Sequence, residues 1–254
     1  MNYEPVEIQK LYLNDTYLLE SEALVLSTTT DDQNRYRVIL DRTIFYPKGG
    51  GQPADQGFMR SSQTELVVEE VLLDGDAVVH VARPSRGQLR SGDHVSTHVD
   101  PERRLLHARL HSAGELLCAV LWGMGYSYPR GWPVVAAIHY PERSSVEFGG
   151  VLPEESRENL RSTLEMKLNE KIDEGGAVEV RVVADCRAAA ELCGFVPHYL
   201  PEHAPIRLVK VAGDFFRPCG GTHVADLSEI GGVLIRKVKC RKGHTVISYQ
   251  LVQT

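Results

Sequence analysis

Two kinds of hydrophobic pattern divide this chain. From about residue 11 to 98, apolar positions come in short or alternating runs between clusters of Asp, Gly, Ser and Pro. Such runs are typical of β-strands, whose successive side chains point to opposite faces of a sheet. We therefore expect a small barrel or sandwich in this part of the chain. The predicted strands cover residues 17–25, 36–40, 66–71, 77–81 and 94–99.

A helical period follows Pro101. Leucines and valines recur on one side of the segment from Glu102 to about Trp122, which predicts a long amphipathic helix. Pro153 precedes a second, strongly charged segment, for which we predict a helix from Glu154 to Ile172. Gly175 and Gly176 are expected to end it.

The remaining elements mix strands with one short helix. Because they show no regular strand–helix–strand alternation, the fold class is predicted to be α+β. We expect a small N-terminal β-barrel-like domain (1–98), then an α+β domain (99–254) with a mixed or antiparallel sheet packed on two long helices. The predicted elements are strands at 134–140, 145–148, 177–183 and 206–211, a short helix at 187–192, and a hairpin of 233–240 with 245–252.

Composition is that of an ordinary soluble protein. The chain has 254 residues, of which 43% are hydrophobic and 24% are charged. No apolar run approaches the roughly 18 residues that a membrane span needs, and the N-terminus lacks the features of a signal peptide. Five scattered cysteines do not form a disulfide framework. We therefore expect a cytoplasmic protein without disulfides or membrane partners.

The net charge of −6 argues against nucleic-acid binding through the whole surface. A local basic run near the C-terminus contains Arg236, Lys237, Lys239 and Arg241. Such a run is either a solvated strand edge or a set of phosphate contacts, and sequence alone leaves both interpretations open.

Cys219 and His223 carry the clearest candidate chemistry. A thiolate and an imidazole at this spacing can bind one zinc ion. The segment that follows Pro101 offers more ligands, because His107, His111 and Glu115 recur every four residues and share one side of a helix. These residues predict a mononuclear metal site; alternatively, the cysteine is a buried thiol and the histidines are ordinary structural residues.

Three consecutive glycines, Gly49 to Gly51, precede Gln52. They are not a nucleotide-binding P-loop, because the Gly-Lys-Ser/Thr ending is absent. A glycine-rich turn can bring bare backbone groups close to a ligand. The alternative is a plain tight turn between two strands.

Four motifs follow one another along the chain: Phe45-Tyr-Pro-Lys-Gly-Gly-Gly-Gln-Pro-Ala-Asp-Gln-Gly57, Arg109-Leu-His-Ser-Ala-Gly114, Pro218-Cys-Gly-Gly-Thr-His223 and Ile235-Arg-Lys-Val-Lys239. In this order they resemble the alanyl-tRNA-editing proteins. These are free-standing relatives of the editing domain of alanyl-tRNA synthetase, and they are also related to the second domain of threonyl-tRNA synthetase. The resemblance covers nearly the whole chain.

The resemblance implies hydrolysis of the ester that joins a wrong amino acid to tRNA(Ala), chiefly serine, with glycine as a further candidate. It also implies one zinc ion per chain, bound by His111, Cys219 and His223. The family has a second histidine where this chain has Glu115. That carboxylate is either a fourth ligand or a residue beside the ligands, and it is also a candidate catalytic residue.

The same resemblance suggests a substrate pocket. Thr43 is the candidate contact for the serine hydroxyl, and Gln52 is a second catalytic candidate in the pocket. Gly50 and Gly51 are candidates for substrate binding, and the C-terminal cations are assigned to tRNA phosphates. The alternative for Thr43 is a strand residue chosen for its β propensity.

Two other functions stay open at this level. One is a catalytically inert tRNA-binding relative, which the replacement of a ligand by Glu115 suggests. The other is a metal-dependent hydrolase of a small-molecule ester, for which the glycine-rich turn and the basic C-terminal hairpin are less natural.

Overall fold

The computed structural model describes residues 8–126, 131–194, 200, 202–213 and 216–252. The chain forms two compact units, Met1–Leu106 and His107–Thr254, each with its own hydrophobic core. No helix in the described ranges combines the length and apolarity that crossing a bilayer requires. The protein mixes helices, open sheets and a closed barrel, which confirms the coarse α-and-β prediction.

The described strands of the first unit are β1 (Gln9–Lys10), β2 (Glu20–Thr30), β3 (Tyr36–Leu40), β4 (Arg42–Thr43), β5 (Gly57–Arg60), β6 (Glu65–Asp74), β7 (Ala77–Arg86) and β8 (His94–Val99). Six of them form a closed antiparallel barrel with the strand order β2-β3-β7-β6-β5-β8. The barrel interior is filled by inward-facing residues such as Val38, Leu66 and Val95, all at most 1% exposed.

Most of the predicted barrel strands are confirmed. The strand predicted at 17–25 is shifted, because β2 begins at Glu20 and continues through a polar run to Thr30. That polar run pairs with β3, so the hairpin partner rather than hydrophobicity extends the strand. Strand β5 was not predicted, although it closes the barrel between β6 and β8.

The glycine-rich segment forms a tight turn. Gly49 and Gln52 exchange backbone hydrogen bonds of 3.2 and 2.8 Å. Between them, Gly50 and Gly51 have φ angles of 52° and 77°, the left-handed region that glycine adopts at little cost. In the same motif, the buried Asp55 carboxylate pairs with the buried guanidinium of Arg104.

A long helix, α1 (Pro101–Gly123), starts in the first unit and continues in the second. Proline suits its first position because a helix leaves its first N–H groups without an internal partner. The Asp100 side chain accepts a hydrogen bond of 3.0 Å from the Arg103 N–H and so caps this end. The helix predicted from Glu102 to Trp122 is confirmed.

The described elements of the second unit after α1 are β9 (Val134–Ile138), β10 (Ser144–Phe148), α2 (Glu154–Glu174), β11 (Glu179–Val183), α3 (Cys186–Cys193), β12 (Ile206–Lys210), β13 (Arg217–Pro218), β14 (Val233–Arg241) and β15 (His244–Leu251). All strand pairings among the described residues of this unit are antiparallel. One sheet has the order β14-β15-β10-β9, and the other has the order β11-β12-β13.

The main core of the second unit joins both long helices to the four-stranded sheet. Leu116, Leu117 and Leu121 of α1 are fully buried there, as are Leu164 and Leu168 of α2. Each helix therefore buries one leucine-rich face, and this packing fixes which side of α1 faces the rest of the unit.

A bulge in β14 changes the direction of its side chains. Val233, Ile235 and Val238 point into the core, and the register with β15 shifts between Ile235 and Lys237. The bulge therefore places two consecutive cations outward. The "β14 cations", all exposed, are Arg236, Lys237, Lys239 and Arg241.

Candidate metal centre

Three ligand-type side chains converge in the second unit. His111 comes from the middle of α1, whereas Cys219 and His223 come from the loop that follows β13. Their potential ligand atoms all lie within 4.8 Å of one another. This cluster can bind a metal ion.

The spacing of the three atoms fits a tetrahedral zinc site. Cys219 Sγ lies 3.4 Å from His111 Nε2 and 3.3 Å from His223 Nε2. Zinc bonds of about 2.3 Å to sulfur and about 2.0–2.1 Å to nitrogen, at a tetrahedral angle, imply a sulfur–nitrogen separation of roughly 3.5 Å. The Gly221 N–H also donates to Cys219 Sγ at 3.4 Å, an interaction that favours a thiolate.

The electrostatics of the cluster favour a bound cation. Burial lowers the pKa of His111 to about 4 and holds that of His223 well below its ordinary value. Both imidazoles are therefore neutral near pH 7 and can offer a lone pair. Burial, with the nearby Glu115 carboxylate, raises the pKa of the Cys219 thiol to about 12. A divalent ion would reverse that shift, because a coordinating thiol loses its proton.

Gly221 gives His111 its space. A Cβ at position 221 would lie 2.1 Å from Cε1 and 2.3 Å from Nδ1 of His111, closer than any real contact. At Gly220, by contrast, a Cβ would meet nothing within 4 Å. Only the second glycine of the loop is therefore required by the approach of the helix.

Arg207 of β12 holds the Cys219 loop through hydrogen bonds to its backbone. Its guanidinium donates to the Cys219 carbonyl at 2.7 Å and to the Gly221 carbonyl at 3.1 Å. Its own carbonyl accepts a hydrogen bond of 3.1 Å from the Cys219 N–H. One residue thus fixes both the entry and the middle of the loop.

Ser112 orients His223. Its hydroxyl lies 3.2 Å from His223 Nδ1 and accepts a hydrogen bond of 3.1 Å from the Val224 N–H. A proton on Nδ1 that is donated to this oxygen leaves Nε2 as the lone-pair nitrogen facing Cys219. This is the usual way in which a ligating imidazole is held by a neighbouring polar group.

Glu115 lies beside the cluster, in an ion pair. Its carboxylate is 3.3 Å from Nε of Arg217, and the two side chains are only 16% and 20% exposed. Burial lowers the pKa of the Arg217 guanidinium, but the Glu115 carboxylate together with the sulfur atoms of Cys118 and Cys219 outweighs burial, so this pKa is raised. A role for Glu115 as a fourth ligand stays a prediction.

Thr43 lies in the barrel unit with its hydroxyl already hydrogen bonded. His80 Nδ1 lies 3.0 Å from the Val38 carbonyl, so this nitrogen carries the proton and Nε2 is an acceptor. Thr43 therefore donates to His80 Nε2 at 2.8 Å, and its oxygen accepts from the Phe45 N–H at 3.0 Å. Thr43 is 1% exposed.

The other predicted residues of the first unit are Gln52, Gly50 and Gly51. Gln52 is fully buried at the end of the glycine turn, and the two glycines form the turn itself. The segment is therefore a tight turn, which is compatible with both interpretations of it. Its predicted contact with a substrate stays a prediction.

Several residues around the cluster lie at positions that no sequence motif or spacing marks as functional. Arg207 is one of many alternating strand residues, whereas His139 directly follows β9 and Tyr249 lies in β15, both outside the motifs. Ser112 and Arg217 are the exceptions. Each is adjacent to a predicted ligand motif, so a search of the motif neighbours for polar side chains would have found both.

Comparison with known proteins connects both units to aminoacyl-tRNA synthetases. Residues 11–103 match the family described as "tRNA synthetases class II (A)". Residues 206–245, which include the Cys219 loop, match the "Threonyl and Alanyl tRNA synthetase second additional domain".

Relatives along most of the chain carry two kinds of name. An alanine–tRNA ligase of Methanoregula boonei is 32% identical over 91% of this chain and 24% of its own length. The alanyl-tRNA editing protein AlaX-L of Pyrococcus horikoshii is 28% identical over 88% of this chain and 53% of its own length. The chain thus spans about a quarter and about half of these two relatives.

A third relative matches along most of its own length as well. The alanyl-tRNA editing protein AlaX-M of Methanosarcina acetivorans is 31% identical over 90% of this chain and 92% of its own length. The chain belongs to the family of alanyl-tRNA editing proteins, which confirms the resemblance found in its motifs.

Proposed function

We propose that this protein hydrolyses the ester bond of mischarged tRNA(Ala), with Ser-tRNA(Ala) as the main substrate and Gly-tRNA(Ala) as a further one. The proposal includes one zinc ion per chain, held by His111, Cys219 and His223. The observation that carries it is the convergence of Cys219 Sγ with two imidazole Nε2 atoms at 3.3 and 3.4 Å. The family membership supplies the substrate class.

The reaction adds water to the carbonyl carbon that joins the amino acid to the terminal ribose. The bond from that carbon to the ribose oxygen then breaks, the ribose oxygen takes a proton, and a free amino acid leaves. When bound, zinc supplies Lewis-acid chemistry, which polarises a carbonyl and acidifies water. The neutral imidazoles of His111 and His223 contribute lone pairs, and Cys219 contributes negative charge to the ligand set.

The β14 cations are proposed to bind phosphates of the tRNA. Four exposed cations on one side of a strand can contact a phosphate backbone without reading its sequence. The bulge supports this interpretation, because it turns both Arg236 and Lys237 outward while keeping Ile235 and Val238 in the core.

Thr43 is proposed as the residue that selects serine. Since its proton is donated to His80, the Thr43 oxygen can only accept a further hydrogen bond. A serine hydroxyl is a donor that fits this acceptor, and alanine has no such donor. A site built to accept a hydroxyl proton discriminates strongly against an analogue that lacks it.

The experiment is deacylation of Ser-tRNA(Ala) measured beside Ala-tRNA(Ala). We expect rapid release of serine and slow release of alanine. Cys219→Ser should abolish serine release, whereas Cys186→Ser, which changes a cysteine outside the cluster, should not. Binding of the tRNA without deacylation would instead favour an inert tRNA-binding relative. Deacylation that excess uncharged tRNA does not inhibit would favour a small-ester hydrolase.

A further inference from the structure

His139 lies against the candidate metal centre without belonging to it. It directly follows β9, is 2% exposed, and stacks on His111 with ring centroids 4.4 Å apart and planes inclined by 18°. Offset stacking at this separation is an attractive arrangement for two rings. His139 is not among the residues whose ligand atoms converge within 4.8 Å in the described part of the chain.

A buried hydrogen-bond chain fixes the His139 ring. The Tyr249 hydroxyl donates to the Leu110 carbonyl at 3.0 Å and lies 2.6 Å from His139 Nδ1. Because the hydroxyl proton is used by the carbonyl, His139 Nδ1 must carry a proton and donate it to the tyrosine oxygen. These hydrogen bonds determine both the tautomer and the plane of the His139 ring.

The sequence of α1 makes room for this ring. A Cβ at Gly114 would lie 2.4 Å from Cε1 of His139 and 2.7 Å from the hydroxyl oxygen of Tyr249. Glycine in a helix interior costs roughly 0.5–1 kcal/mol relative to alanine. Gly114 lies about one turn after His111, where the side chains of His139 and Tyr249 approach the helix. The contact with this pair explains a glycine at that position.

We propose that His139 is a positioning residue of the metal centre that fixes the ring of His111. Tyr249 orients His139 through a hydrogen bond, and Gly114 leaves space for its ring because it has no side chain. Gly221 closes on one edge of the His111 ring, and His139 covers a face of it. Together they leave the His111 ring one orientation, in which Nε2 faces Cys219. This inference rests on the metal site of the proposed function.

The test measures zinc affinity by competition with a chromogenic chelator. Gly114→Ala should weaken zinc binding roughly 10- to 100-fold, the usual effect of disturbing the groups that orient a ligand. Its matched control is Gly123→Ala in the same helix, where a Cβ meets nothing within 4 Å, and which should bind zinc like the wild type.

A second pair of variants tests the hydrogen-bond chain. Tyr249→Phe removes the acceptor of the His139 proton and should also weaken zinc binding, on the order of 10-fold. Tyr140→Phe removes a hydroxyl from the residue next to His139 and should leave the affinity unchanged. Urea unfolding of the metal-free proteins shows whether a variant has merely lost stability.

The last pair separates a positioning role from a ligand role. His139→Phe keeps a stacked ring and should retain more zinc affinity than His139→Ala. With saturating Co²⁺, both variants should show the wild-type visible absorption, because no ligand is lost. A changed cobalt spectrum in His139→Phe would make His139 a ligand and overturn the positioning role.

Two further results would overturn the inference. In one, Gly114→Ala and Tyr249→Phe bind zinc like the wild type, whether or not they lose stability, and the metal centre stands without His139. In the other, the wild-type protein binds neither zinc nor cobalt, which removes the proposed metal centre and its positioning residue together.

Discussion

The ion pair of Glu115 and Arg217 should be thermodynamically coupled. Arg217 immediately precedes Pro218 and the Cys219 loop, so the pair ties that loop to α1. Replacing Glu115 by Leu leaves a guanidinium without its partner, and Arg217→Met leaves an unpaired carboxylate. We expect each change to destabilise the metal-free protein, and the double change to be much milder than the sum.

The magnitude follows from the partial burial of the pair. Breaking a fully buried pair costs about 3–5 kcal/mol, and exposed pairs are worth only about 0.2–1 kcal/mol. With side chains 16% and 20% exposed, Glu115 and Arg217 lie closer to the buried case. We expect a loss of about 2–3 kcal/mol for each single variant. The double variant, with apolar groups in both places, should lose about 1 kcal/mol or less.

Urea unfolding of the four metal-free proteins measures this coupling as a double-mutant cycle. Glu115→His alone should also lose stability rather than simply gain a ligand, because Arg217 is left unpaired. Additive losses in the cycle would refute the reasoning. Zinc affinity tests whether the Glu115 carboxylate is also a ligand. If Glu115→Leu lowers the affinity equally in the wild-type protein and in the Arg217→Met variant, the carboxylate is a ligand.

Four further predictions follow from individual contacts. Gly221→Ala should displace the ring of His111 and weaken zinc binding at least 10-fold in a chelator competition, whereas Gly220→Ala should not. Thr43→Val should cost about 1–3 kcal/mol of unfolding free energy and lower the serine-to-alanine deacylation ratio roughly 5- to 150-fold; an unchanged ratio would confine Thr43 to a structural role. Burial lowers the pKa of His80 from 6.5 to about 4, so the unfolded chain takes up a proton first and stability falls as the pH drops through this window. His80→Gln should reduce the pH dependence of the unfolding free energy by up to about 1.4 kcal/mol per pH unit in urea titrations. An unchanged pH dependence would contradict the assignment to His80. Replacing the β14 cations by Gln should reduce the dependence of log Kd for tRNA on log salt concentration by about 3, and an unchanged slope would exclude them as phosphate contacts.

The sequence predicted those parts of the fold whose local signal agrees with their tertiary role. Helix α1 was located correctly because its apolar period is long and a proline opens it. Strand β5, with only Gly-Phe-Met-Arg, has neither the length nor the alternation that marks a strand. Its pairing with β6 and β8 is a property of the closed barrel, which no short window contains.

The same division applies to the site. The cluster of His111, Cys219 and His223 was predicted because candidate metal ligands have a characteristic spacing within each element. The residues that hold them have no such spacing, since His139 and Arg207 reach the cluster through sheet packing. The ion pair of Glu115 likewise depends on where the loop crosses the helix, which the sequence does not encode locally.

The most direct test of the account compares metal occupancy with deacylation. Protein stripped of metal is reconstituted with increasing zinc, and serine release from Ser-tRNA(Ala) is followed at each step beside alanine release from Ala-tRNA(Ala). We predict that serine release rises in proportion to zinc and saturates at one zinc per chain, with little alanine released. Metal-free protein that releases serine at the full rate, or zinc-saturated protein that releases none, would contradict the account.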